Sequence, residues 1–270
     1  MATGKACLLW AAMLVLGFSV AHAQSPQQII QQVVDVQRAA DENDHSQWLY
    51  LEEIRKPNEQ VLQRVASTQQ GDVQCLLERN GKKLSASQQR DLIQSFLQDP
   101  RARKKQIAES NHDSRQIDDL LRLLPVAFVW TQTGATAAVT FLHFEPDPHF
   151  HPPTREARVF SSMVGDVVVD NRQQRIRSMS GHLMHEVKFG GGILGRLQEG
   201  SSFSVEQEQV GPSLWQLTAF HVRLQGNALL FRSISLQEDD VRSDFQPESS
   251  AITLDQAASE VMSQPETADF

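Results

Sequence analysis

Cysteine is nearly absent. The chain of 270 residues holds two, and one of them, Cys7, lies in an amino-terminal apolar run, which leaves Cys75 alone in the remainder. With one thiol there is no internal disulfide, so the fold must rest on a core of its own. An excess of basic charge is missing too: 25 Lys and Arg stand against 33 Asp and Glu, for a net charge of −8. That balance argues against nucleic acid or an anionic membrane surface as a bulk partner. After Ala23 no stretch approaches the ~18 uninterrupted apolar residues of a membrane helix, so no stable span is expected there.

Catalytic signatures are also missing. No G-x-S-x-G occurs, Cys75 has no evident histidine partner, and no carboxylate pair stands out from the charged background. His185-Glu186 begins HEVKF, which lacks the second histidine of H-E-x-x-H. The expectation is a protein that is not an enzyme and carries no cofactor.

What is present begins with a leader. Residues 1–23 combine Lys5, an apolar run from Cys7 to Val20, and Ala21-His22-Ala23 before a polar Gln24, the pattern of a cleaved signal peptide. Cys7 precedes the apolar run and is not placed as a lipid-anchoring cysteine. The mature chain is therefore expected in the periplasm or outside the cell, after cleavage near Ala23.

From Gln24 the pattern is mixed α and β. Ile29, Ile30, Val33, Val34 and Val36 fall on roughly one face of a first helix. Trp48 and Tyr50, then Glu59–Ser67 and Asp72–Glu78, read as strands, with the two aromatics packing across strands. Asn80-Gly81 predicts a type I′ hairpin turn. Residues 85–124 read as a helical insertion, with Ser85 or Ser87 capping one helix and Asp113 or Ser114 a second that ends at Pro125. The basic run Arg101–Lys105 reads as a solvated helix face. A hairpin about Thr133-Gly134 follows, then a loop stiffened by Pro146, Pro148, Pro152 and Pro153. Met163–Gln207 reads as the centre of a large antiparallel sheet, with later strands at Leu214–Leu224 and Leu229–Leu236 about a turn at Gly226-Asn227. Residues 246–270 read as a flexible tail with one weak helical run.

Two clusters invite a site. Gly190, Gly192 and Gly195 match G-x-G-x-x-G in spacing, but no βαβ unit surrounds them. The loop Gly190, Gly191, Gly192, Ile193, Leu194, Gly195 reads instead as a bend in the sheet, or as a gate presenting Ile193 and Leu194. His149 and His151 share a face of an extended strand, whereas His182 and His185 fall on opposite faces, so no metal set is assigned.

MVGDVVVDNRQQRIRSMSGHL, VKFGGGILGRLQEGSSFSV and VGPSLWQLTAFHVRLQGNALLF together resemble secreted bacterial envelope proteins similar to the LolA-like periplasmic lipoprotein-carrier superfamily. The resemblance implies an α+β fold for residues 24–245: a curved antiparallel half-barrel of roughly nine to eleven strands, closed by helices on its concave side. The proline loop at Pro146–Pro153 and the glycine loop at Gly190–Gly195 set the chain apart from a lipoprotein carrier. A lone curved sheet cannot leave its inner face in water, so helices or a ligand must fill it. The expected function is a soluble periplasmic carrier or binding protein for a lipid-like or lipoprotein acyl ligand. Phe96, Leu120, Leu124, Phe128 and Trp130 are candidates for the cavity lining, as are Phe141, Phe189, Trp215 and Phe231. The other reading is an envelope interaction or sensor protein with a filled core that binds a protein partner through its loops.

Overall fold

The computed structural model describes residues 24–189, 195–228 and 232–263. Helix α1 (Pro26–Asn43) starts where Ser25 accepts from the Gln28 amide and the Gln28 side chain accepts from Ser25, a capping box with Pro26 in the first turn. Strands β1 (Gln47–Lys56), β2 (Glu59–Ala66), β3 (Val73–Arg79) and β4 (Lys82–Lys83) follow. Helices α2 (Ala86–Gln98), α3 (Pro100–Leu121) and the single turn α4 (Leu124–Ala127) lead into β5 (Phe128–Ala135) and β6 (Val139–Pro146). A 3₁₀ helix at Glu156–Ser162 precedes β7 (Met163–Asp170), β8 (Arg175–Leu183), β9 (Val187–Phe189), β10 (Gly195–Leu197) and β11 (Ser202–Gly211). The described residues end in β12 (Leu214–Ala228), β13 (Arg232–Glu248) and α5 (Leu254–Ser263).

The α+β class and the large antiparallel sheet are as expected. Thirteen strands form one sheet in the order β4-β3-β2-β1-β13-β12-β11-β8-β7-β6-β5, with β10 pairing β9 and β12 off this path. The short strands β4, β9 and β10 lift the count above the nine to eleven expected. The middle of the sheet is β12, flanked by β13 and β11; the stretch read as its centre, residues 163–207, instead reaches from β11 towards the β5 edge.

Two cores lie on opposite faces. On one face, Ile30, Val33 and Val34 of α1 and Leu124 of α4 pack with Phe128, Phe144, Phe160, Val167 and Leu183. The Phe128 ring stands 4.6 Å from that of Phe144 and 5.1 Å from that of Phe160, and Trp130 joins them at 6.0 Å. The second core gathers Leu49, Ala66, Val73 and Cys75 with Ile93 of α2 and Ala257 and Val261 of α5. Leu49 is three residues from Glu52 in β1, whose ladder with β2 is regular, so the two side chains leave opposite faces. Helices thus cover both faces, α1 and α4 one, α2 and α5 the other, rather than the concave side alone.

Helix α3 has no buried residue and is tied near its ends. Gln106 exchanges hydrogen bonds with the backbone of Asp72 at 2.9 and 3.2 Å, and Arg38 of α1 donates to Asp118 at 2.5 Å. Asp99 caps it by accepting from the Arg101 and Ala102 amides, so Asp113 and Ser114 lie inside one continuous helix and cap nothing. Pro125 opens the turn α4 instead of ending a helix, because proline is tolerated in a first turn.

Other local expectations divide. Asn80 and Gly81 have φ of 52° and 75°, as a type I′ turn requires. Thr133 and Gly134 lie inside β5, where a register shift absorbs Thr133, Gly134 pairs with Phe141, and the turn moves to residues 136–138. Gly226 and Asn227 also lie within a strand, since β12 pairs β13 through Ala228. The tail expectation fails for residues 246–263: β13 runs to Glu248 and α5 buries Ala257 and Val261 completely, because its few apolar residues share one face.

Candidate functional site

The α1 face carries a transverse row of residues paired in register: Met179 on β8, Val205 on β11, Phe220 on β12, Asp240 on β13, Ile54 on β1 and Val61 on β2. Met179, Val205, Phe220 and Ile54 are only half-buried, unlike the packed rings over β5–β7. One register step away, Arg242 pairs with Glu52 across β13 and β1. Its guanidinium lies 3.1 Å from Glu52 and 2.7 Å from Asp240, while Gln63 donates to Glu52 at 2.6 Å. Burial pushes the Glu52 carboxyl upward, against the pull of Arg242 and Gln63.

Where α1 ends, this face opens into a cleft of about 370 Å³. Gln37, Asp41 and Asp44 form the α1 side, and Tyr50, Arg175, Gln207, Trp215, Arg242 and Phe245 line the strands. Arg175 donates to Gln37 at 2.8 Å and to Asp41 at 3.3 Å, which fixes the helix end to β8. Phe245 stacks on Tyr50 at 5.3 Å and meets Trp48 edge-on at 6.1 Å, so the expected cross-strand packing of Trp48 and Tyr50 is present.

Among the described residues, two buried side-chain atoms have no hydrogen-bond partner, Trp215 Nε1 and Gln207 Oε1, and both residues line this cleft. Trp215 is 6% exposed. A buried donor or acceptor left unpaired costs about 1–3 kcal/mol, so these two atoms are where a further polar group would gain most in this cleft.

Of the described residues expected to line a cavity, Trp215 alone is a wall of this cleft. Leu124, Phe128 and Trp130 are packed core, with Leu120 and Phe189 at its margin. Phe96 belongs to the second core on the other face. Phe141 is 39% exposed and points away from the α1 core, because its neighbours Thr140 and Leu142 take the inward positions of β6. Phe231 and the loop residues Gly190, Gly191, Gly192, Ile193 and Leu194 lie outside the described residues, whereas Gly195 is buried at the start of β10. Sequence patterning missed Gln207, Arg175 and Arg242; only the pairing of distant strands reveals that they converge.

The glycines that shape the described sheet are a different pair. Gly165 and Gly181 face each other across β7 and β8. A Cβ on Gly165 would sit 2.7 Å from the Phe144 ring and closer still to the Ser180 carbonyl oxygen. The opposite face bears a polar row: His143 pairs with Asp166, Ser180 with Ser204, and His221 with Asp239. His143 Nδ1 lies 2.9 Å from Asp166 and His221 Nδ1 2.6 Å from Asp239. Among the described residues no group of three His, Cys, Asp or Glu side chains stands close enough to hold a metal, and no helix is long and apolar enough to cross a membrane. Comparison with protein families, with curated proteins and with solved structures finds no match to this chain.

Proposed function

We propose that the protein is an exported binding protein or carrier that works in the periplasm and holds an amphipathic, lipid-like ligand between the α1 face of the sheet and its helices. The leader pattern of residues 1–23 supports the location. One observation carries the binding reading: half-buried apolar residues on the α1 face run beside a cleft whose walls leave Trp215 Nε1 and Gln207 Oε1 unpaired. Met179, Val205, Phe220 and Ile54 suit an acyl chain, and the cleft suits its polar end. The likeness to LolA-like carriers adds to this reading by pattern alone.

The filled aromatic core around Phe128 favours the second reading, a protein that binds an envelope partner. One experiment separates them. Protein purified from its own envelope is extracted for lipid and analysed by native mass spectrometry, and uptake of a fluorescent fatty acid is measured. Bound acyl species or saturable uptake is the expected outcome; finding neither refutes the carrier reading and leaves the partner-binding one.

A further inference from the structure

The geometry points to a neutral, hydroxyl-bearing group, of the sugar or polyol class, as the polar group that the cleft at the end of α1 recognises. This rests on the reading of that cleft as the polar end of a ligand site.

The unpaired atoms set the polarity. An indole Nε1–H only donates, and an amide Oε1 only accepts. Gln207 pairs with Leu217, and Trp215 stands two residues before Leu217, so the orphan atoms belong to diagonal neighbours on one face of β11 and β12. Such neighbours are about 7–8 Å apart at the backbone, within reach of long side chains. A single ligand group that accepts from Trp215 and donates to Gln207 would satisfy both. A hydroxyl does both. A carboxylate oxygen accepts from Trp215 but has no proton for Gln207, and an ammonium fails in the opposite sense; a phosphate keeps a P–OH at neutral pH and is disfavoured by its charge instead.

The charges agree. Both arginines of the cleft are already engaged: Arg175 by Gln37 and Asp41, Arg242 by Glu52 and Asp240. An incoming anion would have to displace one of those carboxylates and lie near Asp44, which is itself held by Ser46 at 2.5 and 2.8 Å. The aromatic side of the cleft, Phe245 on Tyr50, offers an apolar surface for the C–H face of a sugar ring.

The test follows the Trp215 indole N–H resonance of ¹⁵N-labelled protein, assigned through Trp215→Phe, during titration with glycerol, D-glucose and inorganic phosphate. A saturable shift with glycerol or D-glucose, none with phosphate, and affinity at least about tenfold weaker in Gln207→Leu are expected. Silence towards both polyols, as when ordered water alone fills the cleft, overturns the inference, as does an equal response to phosphate. Fatty-acid uptake by the same sample keeps the two readings apart. Uptake with a silent Trp215 sinks only the hydroxyl site, whereas a polyol response without uptake sinks only the acyl chain.

Discussion

Arg38 on α1 donates to Asp118 near the end of α3, 80 positions along the chain, at 2.5 Å. Arg122 also reaches Asp118, at 2.5 Å. The hydrogen bond from Arg38 is the main reason that the Asp118 carboxyl lies below its usual range. A depressed carboxyl contributes stability that is present above its unfolded value near ~4 and lost as pH falls through the folded value. Asp118→Asn is expected to cost no more than about 1 kcal/mol at neutral pH, because the site is partly solvated. Urea denaturation of the variant and the natural chain should converge below about pH 4; a constant gap would show that the contact acts by packing and not by charge.

Arg242 and Glu52 pose the opposite case, a paired charge in the sheet. Arg242→Met strands the Glu52 carboxylate, whose side chain is 7% exposed, and should cost about 3 kcal/mol or more. A carboxyl raised by burial favours folding when protonated, so the stability that its proton brings is lost as pH rises through the folded value. The Arg242→Met defect should therefore be larger at pH 7.5 than at pH 5. Glu52→Gln, which keeps the volume and removes the charge, should cost less than Arg242→Met at pH 7.5. Chemical denaturation at the two pH values decides both points.

Gly165→Ala tests the close approach of β7 and β8. The added methyl meets backbone and the Phe144 ring, neither of which can turn aside, so a loss of about 2–3 kcal/mol is expected. Gly81→Ala provides the contrast: nothing stands within 4 Å, and strain arises only from its φ of 75°. A loss of about 1 kcal/mol is expected there. Thermal unfolding of the two variants should rank them in that order.

Local signals carried much of the fold. Ser25 and Ser85 cap helices as their spacing with Gln28 and Gln88 implies, and Asn80-Gly81 makes its turn. Each of these depends on residues within four positions of one another. The errors came where tertiary contact overrides local chemistry. Gly134 and Gly226 look like turns, yet a bulge and a neighbouring strand hold them extended. Leu254–Met262 reads as a weak helical run in a flexible tail; the helix is there, but it is packed, and Arg64 donates to the Val261 carbonyl at 2.7 Å from 197 positions away. The candidate site was the least legible part. Trp215 stands among the candidate lining residues, but Gln207, Arg175 and Arg242 are ordinary polar residues until β8, β11, β12, β13 and β1 lie side by side.

The place of β13 bears on assembly. It pairs with β12 on one side and with β1 on the other, which joins the first strands of the chain to the last. Before β13 arrives, β1–β4 and β5–β12 share no ladder, and β1 and β12 each present an open edge. Closing a loop of that length adds little to the entropy cost but delays the contact, so the sheet is completed late. A chain emerging amino-terminus first would hold two unfinished half-sheets until its final strand zips them together, and the cleft, which needs both halves, would form only at that moment.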